Sequence, residues 1–253
     1  LPLEADEKIQ TVLSFKDVQE DGYLFMGTKL GIVKKTPLKD FKNIRKNGLI
    51  ALNLREGDEL LRAKITYGDA DIIFVTQDGN AIRFNETDVR PMGRTASGVK
   101  AISLREGDVA VCMDIAVEDE KLLVVSENGY GKRTNLDEYK VQNRGGIGLI
   151  TYKVSDKTGK VVGATVCKED DELMLINNQG VAIRINVSDI SVTSRSAMGV
   201  KLMRTLEDEA VVTIAKISGD TNEEEEEMTL LDESEDTNII VEEVATEVKD
   251  EEN

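Results

Sequence analysis

The chain contains no histidine and no tryptophan, and it has only two cysteines and three prolines among its 253 residues. Histidine is the commonest metal ligand and general base, and no Cys-x-x-Cys pair replaces it, so we expect neither a metal site nor a catalytic residue. Cys112 and Cys167 lie in apolar segments, which favours buried reduced thiols over a disulfide or a metal site. No apolar run approaches the roughly 18 residues of a membrane-spanning helix.

The chain repeats itself with a period of about 50 residues. A glycine recurs in step at Gly48, Gly98, Gly148 and Gly199. Within each repeat it follows an apolar run, a turn that ends in glycine, and one or two basic residues. The apolar runs are residues 24–26, 72–75, 122–125 and 173–176. A fixed period of this length predicts a repeat architecture in which each unit buries its apolar face on its neighbours.

The repeated unit has the features of β-structure. Its apolar runs are short and bounded by turn residues, and no run has helical spacing. Asp78-Gly79 and Asn128-Gly129 are hairpin signals, because both residues of a two-residue turn accept positive φ. About four short strands per repeat predict an all-β, propeller-like domain of about four blades over residues 1–219. The repeats are residues 8–57, 58–107, 108–158 and 159–219, approximately. The missing tryptophan rules out the Trp-Asp propeller signature.

The negative charge is concentrated at the C-terminal end. Residues 220–253 hold sixteen acidic residues and one lysine, which leaves 33 acidic and 31 basic residues in 1–219. An acidic run such as 223–227 repels itself and buries little apolar surface, so we expect a disordered tail. Two interpretations of the tail stay open: it competes with a polyanion for basic positions, or it only increases solubility.

Basic residues recur after the turn and around the second glycine of each repeat. Equivalent positions of stacked repeats would form a positive belt, which matches a curved polyanion. The alternative is that lysine and arginine simply alternate outward on amphipathic strands. The candidate phosphate-contacting residues are Lys34, Lys35, Arg45, Lys46, Arg83, Arg94, Lys132, Arg133, Arg144, Arg184, Arg195 and Lys201.

Four stretches resemble the C-terminal domain of the bacterial DNA gyrase A family. They are residues 1–4 (Leu-Pro-Leu-Glu), 31–36 (Gly-Ile-Val-Lys-Lys-Thr), 89–93 (Val-Arg-Pro-Met-Gly) and 127–134 (Glu-Asn-Gly-Tyr-Gly-Lys-Arg-Thr). The resemblance extends to about Ile217. It implies a β-pinwheel, a propeller-like disc whose blades exchange strands and whose basic rim binds and wraps double-stranded DNA. The start at Leu1, without methionine, suggests a piece of a longer protein.

The resemblance also implies a setting for this fragment. In the family the domain serves a type II DNA topoisomerase that introduces negative supercoils with ATP. Its partners there are the N-terminal core of the gyrase A polypeptide and the gyrase B polypeptide, in an A2B2 holoenzyme of the bacterial cytoplasm and nucleoid, with no membrane. ATP and Mg²⁺ act elsewhere in that holoenzyme, so no cofactor is expected in this chain. The fragment has no catalytic constellation of its own, although its parent would be an enzyme.

The sequence departs from the family pattern in two ways. It has four repeats where the family usually has six blades, and the match starts at what resembles the third. The gyrase A box, of type Gln-Arg-Arg-Gly-Gly-Lys-Gly, is resembled here only by a degenerate copy: Gln142, Asn143, Arg144, Gly145, Gly146, Ile147 and Gly148. Four questions stay open: whether the repeats close into a disc, whether the fragment wraps DNA, what the tail does, and whether the domain is instead a protein-binding scaffold.

Overall fold

A computed structural model describes residues 9–13, 21–42 and 48–219. Arg45, Lys46 and the acidic tail lie outside these residues, so the expectation of a disordered tail is not addressed. The chain divides into two units, Leu1–Ile217 and Ser218–Asn253. In the described part, no helix is both long and apolar enough to cross a membrane.

The described residues form fifteen strands and four short 3-10 turns. The strands are β1 (Tyr23–Thr28), β2 (Ile32–Pro37), β3 (Leu60–Thr66), β4 (Asp71–Thr76), β5 (Asn80–Asn85), β6 (Val99–Lys100), β7 (Ala110–Ile115), β8 (Lys121–Ser126), β9 (Tyr130–Asn135), β10 (Leu149–Ile150), β11 (Val161–Cys167), β12 (Glu172–Asn177), β13 (Ala182–Asn186), β14 (Val200–Lys201) and β15 (Val211–Ile217). The 3-10 turns are Leu38–Phe41, Glu86–Asp88, Leu136–Glu138 and Val187–Asp189.

The strands form four antiparallel sheets, which confirms the prediction of an all-β fold with about four blades. Blade 1 has the order β3-β1-β2-β6, and blade 2 has β10-β5-β4-β7. Blade 3 has the order β11-β8-β9-β14, and blade 4 has β13-β12-β15. The two-residue strands β6, β10 and β14 each come from the repeat after the one they complete. This strand exchange is the pinwheel feature that the resemblance implied.

The hydrophobic core lies between successive blades. Neighbouring residues of a strand point to opposite faces, so each inner strand packs against two neighbours. Phe74 of β4 packs toward blade 1 with Phe25, whereas Ile73 packs toward blade 3 with Leu122. Leu123 and Leu173 belong to the third cluster, between blades 3 and 4. This two-sided burial explains why the apolar runs are continuous rather than alternating.

The two edges of the blades differ. Strands β3, β7, β11 and β15 lie beside one another in successive blades, so they form the inner edge of the row of blades. Strands β6, β10 and β14 lie at the opposite, outer edge of blades 1–3. The outer edge is therefore built from the segments that carry the recurring glycine.

The hairpin turns differ from the prediction in one detail. Gly79 and Gly129 have φ of 82° and 71°, but Asp78 and Asn128 are not in the positive-φ region. The Gly79 N–H donates to the carbonyl of Thr76 at 3.0 Å. The loop therefore has three residues, with a type I turn followed by a left-handed glycine, instead of a two-residue turn with two positive φ angles.

Candidate nucleic-acid interface

Three loops occupy the outer edge, one over each of blades 1–3. Loop 1 is residues 91–98, loop 2 is 141–148 and loop 3 is 192–199, and each leads into the short outer strand of its blade. The glycine that ends each loop lies against the backbone of the strand beneath it. A Cβ at Gly98, Gly148 or Gly199 would lie 2.5, 2.3 or 2.2 Å from a carbonyl oxygen of that strand. The periodic glycine is therefore required for the loop to reach its blade.

Four of the predicted phosphate-contacting residues are buried, so the prediction that they lie on an exposed belt is wrong. Lys34 and Lys132 are 0% exposed, and Lys35 and Arg133 are 4% exposed. All four lie inside β2 or β9, where two consecutive basic residues must point to opposite faces of the sheet. In both strands those faces are covered, which leaves these side chains inside the protein.

Lys34 and Lys132 support the loops from beneath. The Lys132 Nζ donates to the carbonyls of Ser194 and Arg195 at 2.6 and 2.5 Å, and it lies 5.9 Å from the centre of the Tyr152 ring. The Lys34 Nζ donates to the carbonyl of Arg94, and to that of Ala51 at 2.6 Å. Burial lowers the pKa of each of these lysines to about 8, and the guanidinium of Arg94 or Arg195 acts in the same direction.

Lys35 and Arg133 have structural partners. The Lys35 Nζ lies 3.3 Å from a carboxylate oxygen of Glu86, which is itself fully buried. Arg133 donates to the carbonyls of Ile190 and Ser188 at 2.7 and 3.1 Å, and it forms an ion pair with Glu169 at 2.5 Å. Since their donors are already used inside the protein, these two side chains serve the fold.

Arg83 and Arg184 occupy the equivalent position in blades 2 and 4. Arg83 pairs with Asp71 at 2.7 Å, and its side chain is 20% exposed. Arg184 is more exposed and donates to Glu172 at 2.6 Å. Each positive charge is thus compensated by a carboxylate on the adjacent strand, so neither residue adds much to a positive belt.

The loop arginines Arg94, Arg144 and Arg195 are half-buried at the outer edge. Arg144 donates to the carbonyls of Asp88 and Lys100, both at 3.0 Å. Arg195 donates to the carbonyl of Ile150 at 2.9 Å. These carbonyl contacts do not neutralise the guanidinium charge, and they join loops 2 and 3 to the preceding outer strands β6 and β10.

Lys100 and Lys201 supply exposed charge at the ends of β6 and β14. The Lys201 Nζ donates to the carbonyl of Asn128 at 2.9 Å and lies 4.5 Å from the centre of the Tyr130 ring. Ile150, 58% exposed, takes the equivalent place in β10. The outer edge therefore alternates: blades 1 and 3 carry a lysine where blade 2 carries an isoleucine.

The degenerate motif forms loop 2. The Gln142 N–H donates to the carbonyl of Arg83 at 2.8 Å, and Gly146 accepts from the N–H of Ser103 at 2.8 Å. Asn143 is exposed, as is Ile147 at 64%. The motif lies where the sequence predicted, at the blade position equivalent to loops 1 and 3.

The chemistry of the outer edge is that of a binding surface. In the described ranges, no group of three or more potential ligand residues is arranged to hold a metal ion. The basic residues at the outer edge include the half-buried loop arginines and the exposed Lys100 and Lys201. Such a row suits a chain of phosphates, whose charges are regularly spaced.

The family model and the related sequences that match this chain all point to the same protein family. The family model described as the DNA gyrase C-terminal domain, beta-propeller, matches residues 22–66, 70–111, 120–168 and 171–218. The DNA gyrase A polypeptide of Clostridium acetobutylicum is 65% identical over 227 residues, which cover 90% of this chain and 27% of that protein. The Staphylococcus aureus MRSA252 gyrase A polypeptide is 42% identical over 230 residues, covering 90% of this chain and 26% of it. The chain thus spans about a quarter of the length of these relatives.

Two solved structures share the fold. A DNA gyrase A C-terminal domain superposes with a TM-score of 0.76 at 33% identity, covering 86% of this chain and 73% of that one. The C-terminal domain of a DNA topoisomerase IV superposes with a TM-score of 0.83 at 27% identity, covering 92% and 73%. The four matched segments begin with the hairpins β1–β2, β4–β5, β8–β9 and β12–β13 of the four blades, and the chain belongs to the DNA gyrase C-terminal domain family.

Proposed function

We propose that this chain binds duplex DNA along its outer edge and bends it, as the C-terminal part of a gyrase A polypeptide. In the complete enzyme the bent DNA would be presented to the cleavage core, so that ATP-driven strand passage introduces negative supercoils. The partners would be the N-terminal core of the same polypeptide and the gyrase B polypeptide, in an A2B2 assembly acting on the nucleoid in the bacterial cytoplasm. ATP and Mg²⁺ would act in those other parts.

One observation carries this proposal. Half-buried arginines of loops 1–3 and the exposed lysines of β6 and β14 recur along the outer edge of successive blades, and Arg144 and Arg195 join loops 2 and 3 to the preceding outer strands. Bending a site of 20–30 base pairs by 40–90° costs on the order of 1–6 kcal/mol, so several contacts must act together. Basic side chains that recur from blade to blade supply such contacts without reading base edges, so binding should tolerate any sequence.

The first experiment measures duplex affinity against salt concentration for the Lys100→Ala/Lys201→Ala variant. Losing two phosphate contacts should weaken binding and reduce the slope of log K against log salt by about 1.8. The matched control is Arg55→Ala/Arg105→Ala, which removes the same charge from exposed turns beside the β1–β2 and β4–β5 hairpins. An unchanged slope in the lysine variant, or an equal loss in the control, would contradict the proposal.

The second experiment asks whether bound DNA is wrapped. A closed circular plasmid is relaxed by a type I topoisomerase in the presence of the chain, and its linking-number distribution is measured. Wrapping shifts the distribution, whereas binding without wrapping leaves it unchanged.

A gel shift with and without residues 220–253 separates this proposal from the scaffold alternative. Failure of the tail-less domain to bind duplex at low salt would favour a protein-binding role.

A further inference from the structure

Loops 1 and 3 differ from loop 2 in the residue beneath them. Lys34 and Lys132 are the third residues of β2 and β9, and Ile82 is the third residue of β5. A Cβ on Gly146 would lie 3.5 Å from the Ile82 Cδ1, so an apolar side chain supports loop 2 where an ammonium supports the other two. All three supporting side chains are buried.

The ammonium fixes the direction of one peptide group in the turn of loops 1 and 3. The turn of loop 3 is closed by the Ala197 N–H donating to Ser194 O at 3.1 Å, and that of loop 1 by the Ala96 N–H donating to Gly93 O at 3.1 Å. At the centre of each turn, the carbonyl of Arg195 or Arg94 points inward to a lysine. A trans peptide holds its N–H opposite its carbonyl, and none of the described peptide bonds is cis. The N–H groups of Ser196 and Thr95 therefore point outward.

Loop 2 makes the turn differently. Gly145, equivalent to Thr95 and Ser196, has φ of 85°, while neither of those residues has positive φ. A four-residue turn with positive φ at its third residue is a type II turn, and its central peptide group is rotated by about 180° relative to that of a type I turn. The Gly145 N–H donates to the carbonyl of Ala101 at 2.6 Å. Ile82 has no donor that could hold the Arg144 carbonyl inward. The inward-pointing group of this peptide is therefore the Gly145 N–H, which is bonded inside the protein.

We propose that loops 1 and 3 each bind one backbone phosphate through the outward N–H and the side-chain hydroxyl of Thr95 or Ser196, and that loop 2 does not. This assignment rests on the proposed DNA-binding function and identifies its phosphate subsites. Both residues are exposed, and each directly follows a half-buried loop arginine, Arg94 or Arg195. Lys34 and Lys132 act as positioning residues, because they reach the phosphate only through the peptide group that they orient.

The assignment reverses what the sequence motif suggested. Loop 2 carries the glycine-rich segment that resembles the gyrase A box, yet its turn N–H is occupied. Ile147 of this loop and Ile150 of the following strand β10 are exposed, and neither side chain can bind phosphate. Blades 1 and 3 each have an outward N–H, a hydroxyl group and a lysine in the outer strand. Blade 2 has an inward N–H, a glycine and an isoleucine at the equivalent places.

The test is an amide NMR titration of the full chain with a short DNA duplex. The Thr95 and Ser196 amide protons should move downfield as they gain a charge-assisted hydrogen bond, and the Gly145 amide should not. Movement of Gly145 with no change at Thr95 and Ser196 would overturn the assignment. Repeating the titration with inorganic phosphate tests the subsites without relying on duplex binding.

Four variants complete the test. Ser196→Ala and Thr95→Ala remove only an exposed hydroxyl and should each weaken duplex binding by about fivefold, the usual net value of one hydrogen bond. Lys132→Met should also weaken binding and abolish the Ser196 amide shift, whereas Ile82→Met, the matched change beneath loop 2, should do neither. If Lys132→Met does not fold, the hydroxyl variants and the titration still decide the matter.

The outcomes separate the subsites from the function. If Lys100→Ala/Lys201→Ala weakens binding but Ser196→Ala, Thr95→Ala and Lys132→Met do not, the subsite assignment is wrong and DNA binding stands. If duplex binding is absent while phosphate still moves the two amides, the subsites stand and the proposed function is wrong.

Discussion

The ammonium nitrogen of Lys132 and the carbonyl oxygen of Arg195 lie 2.5 Å apart inside the protein, although the two residues are 63 positions apart in the chain. Burial lowers the pKa of Lys132 to about 8, with Glu138 opposing this effect and Arg195 adding to it. Burial, and then Arg94, lowers the pKa of Lys34 to a similar value. These two lysines therefore lose their charge at a pH where surface lysines keep theirs.

DNA affinity should fall as the pH is raised from 7 to 9. Each lysine that becomes neutral removes a positive charge from beneath a phosphate subsite. The chain has no histidine, and burial raises the pKa of both cysteines to about 12, so few other groups titrate in this range. The measurement is duplex affinity against pH. The Lys34→Met/Lys132→Met variant should show a flatter profile, and identical profiles would contradict the prediction.

Stability should change in the opposite direction. The folded-state pKa of these lysines lies below the unfolded value of 10.5, so the unfolded chain binds more protons between about pH 8 and 10. The free energy of unfolding, measured with urea, should therefore rise with pH in that range relative to the double methionine variant. A fall relative to that variant would show that the lysines keep their charge in the folded protein.

Glu86→Ala should destabilise blades 1 and 2 strongly. The buried carboxylate accepts hydrogen bonds from the Thr66 hydroxyl at 2.8 Å and from the N–H groups of Gly68 and Ala70 at 2.9 Å, and it pairs with Lys35. Removing it leaves a buried cation and several donors unpaired, which costs about 3–5 kcal/mol. Urea denaturation measures the loss. Replacing the exposed Glu118 by alanine is the control and should change stability by less than about 0.5 kcal/mol.

Gly148→Ala should cost more than Gly57→Ala. Both glycines have φ of 74°, but an added Cβ at Gly148 would lie 2.3 Å from the Ala81 carbonyl oxygen, and at Gly57 it meets nothing within 4 Å. The difference in the free energy of unfolding between the two variants reports the close approach of loop 2 to β5. We expect this difference to be about 1–3 kcal/mol. Thermal or urea unfolding of the two variants gives the comparison. Equal losses would mean that the loop can move away at no cost.

Cys112 and Cys167 should resist alkylation in the folded protein. Both are buried, unpaired thiols, and burial raises the pKa of each to about 12, so almost no thiolate exists at neutral pH. A thiol-reactive chromophore should label neither residue until denaturant is added. Rapid labelling of the native chain would indicate that blades 2 and 3 open locally.

The fold was predictable because its signals are local and repeated. The apolar runs follow from the packing of one blade on the next, and the glycines at positions 98, 148 and 199 follow from the close approach of each loop to its own blade. Strand exchange was predicted only from the family resemblance, because a two-residue strand such as Val99–Lys100 is too short to show a pattern of alternating hydrophobicity.

The candidate site was predicted less well, because the burial of a charge depends on distant partners. Lys132 looks like a surface residue in the sequence, and its acceptors are backbone carbonyls of the following repeat, at Ser194 and Arg195. Two adjacent basic residues within a strand, as at Lys34-Lys35, were the available signal, since they must point to opposite faces. The outward N–H of Ser196 was not visible in the sequence, because it depends on that same buried lysine.

The sequence repeat and the blade are not the same segment of chain, because strands from the next repeat complete each of blades 1–3. Because β6, β10 and β14 pair in the same way with β2, β5 and β9, the outer strand of one repeat has the same design as that of the next. A single break of the chain between two repeats would still leave the last blade of the first fragment paired with strands of the second fragment.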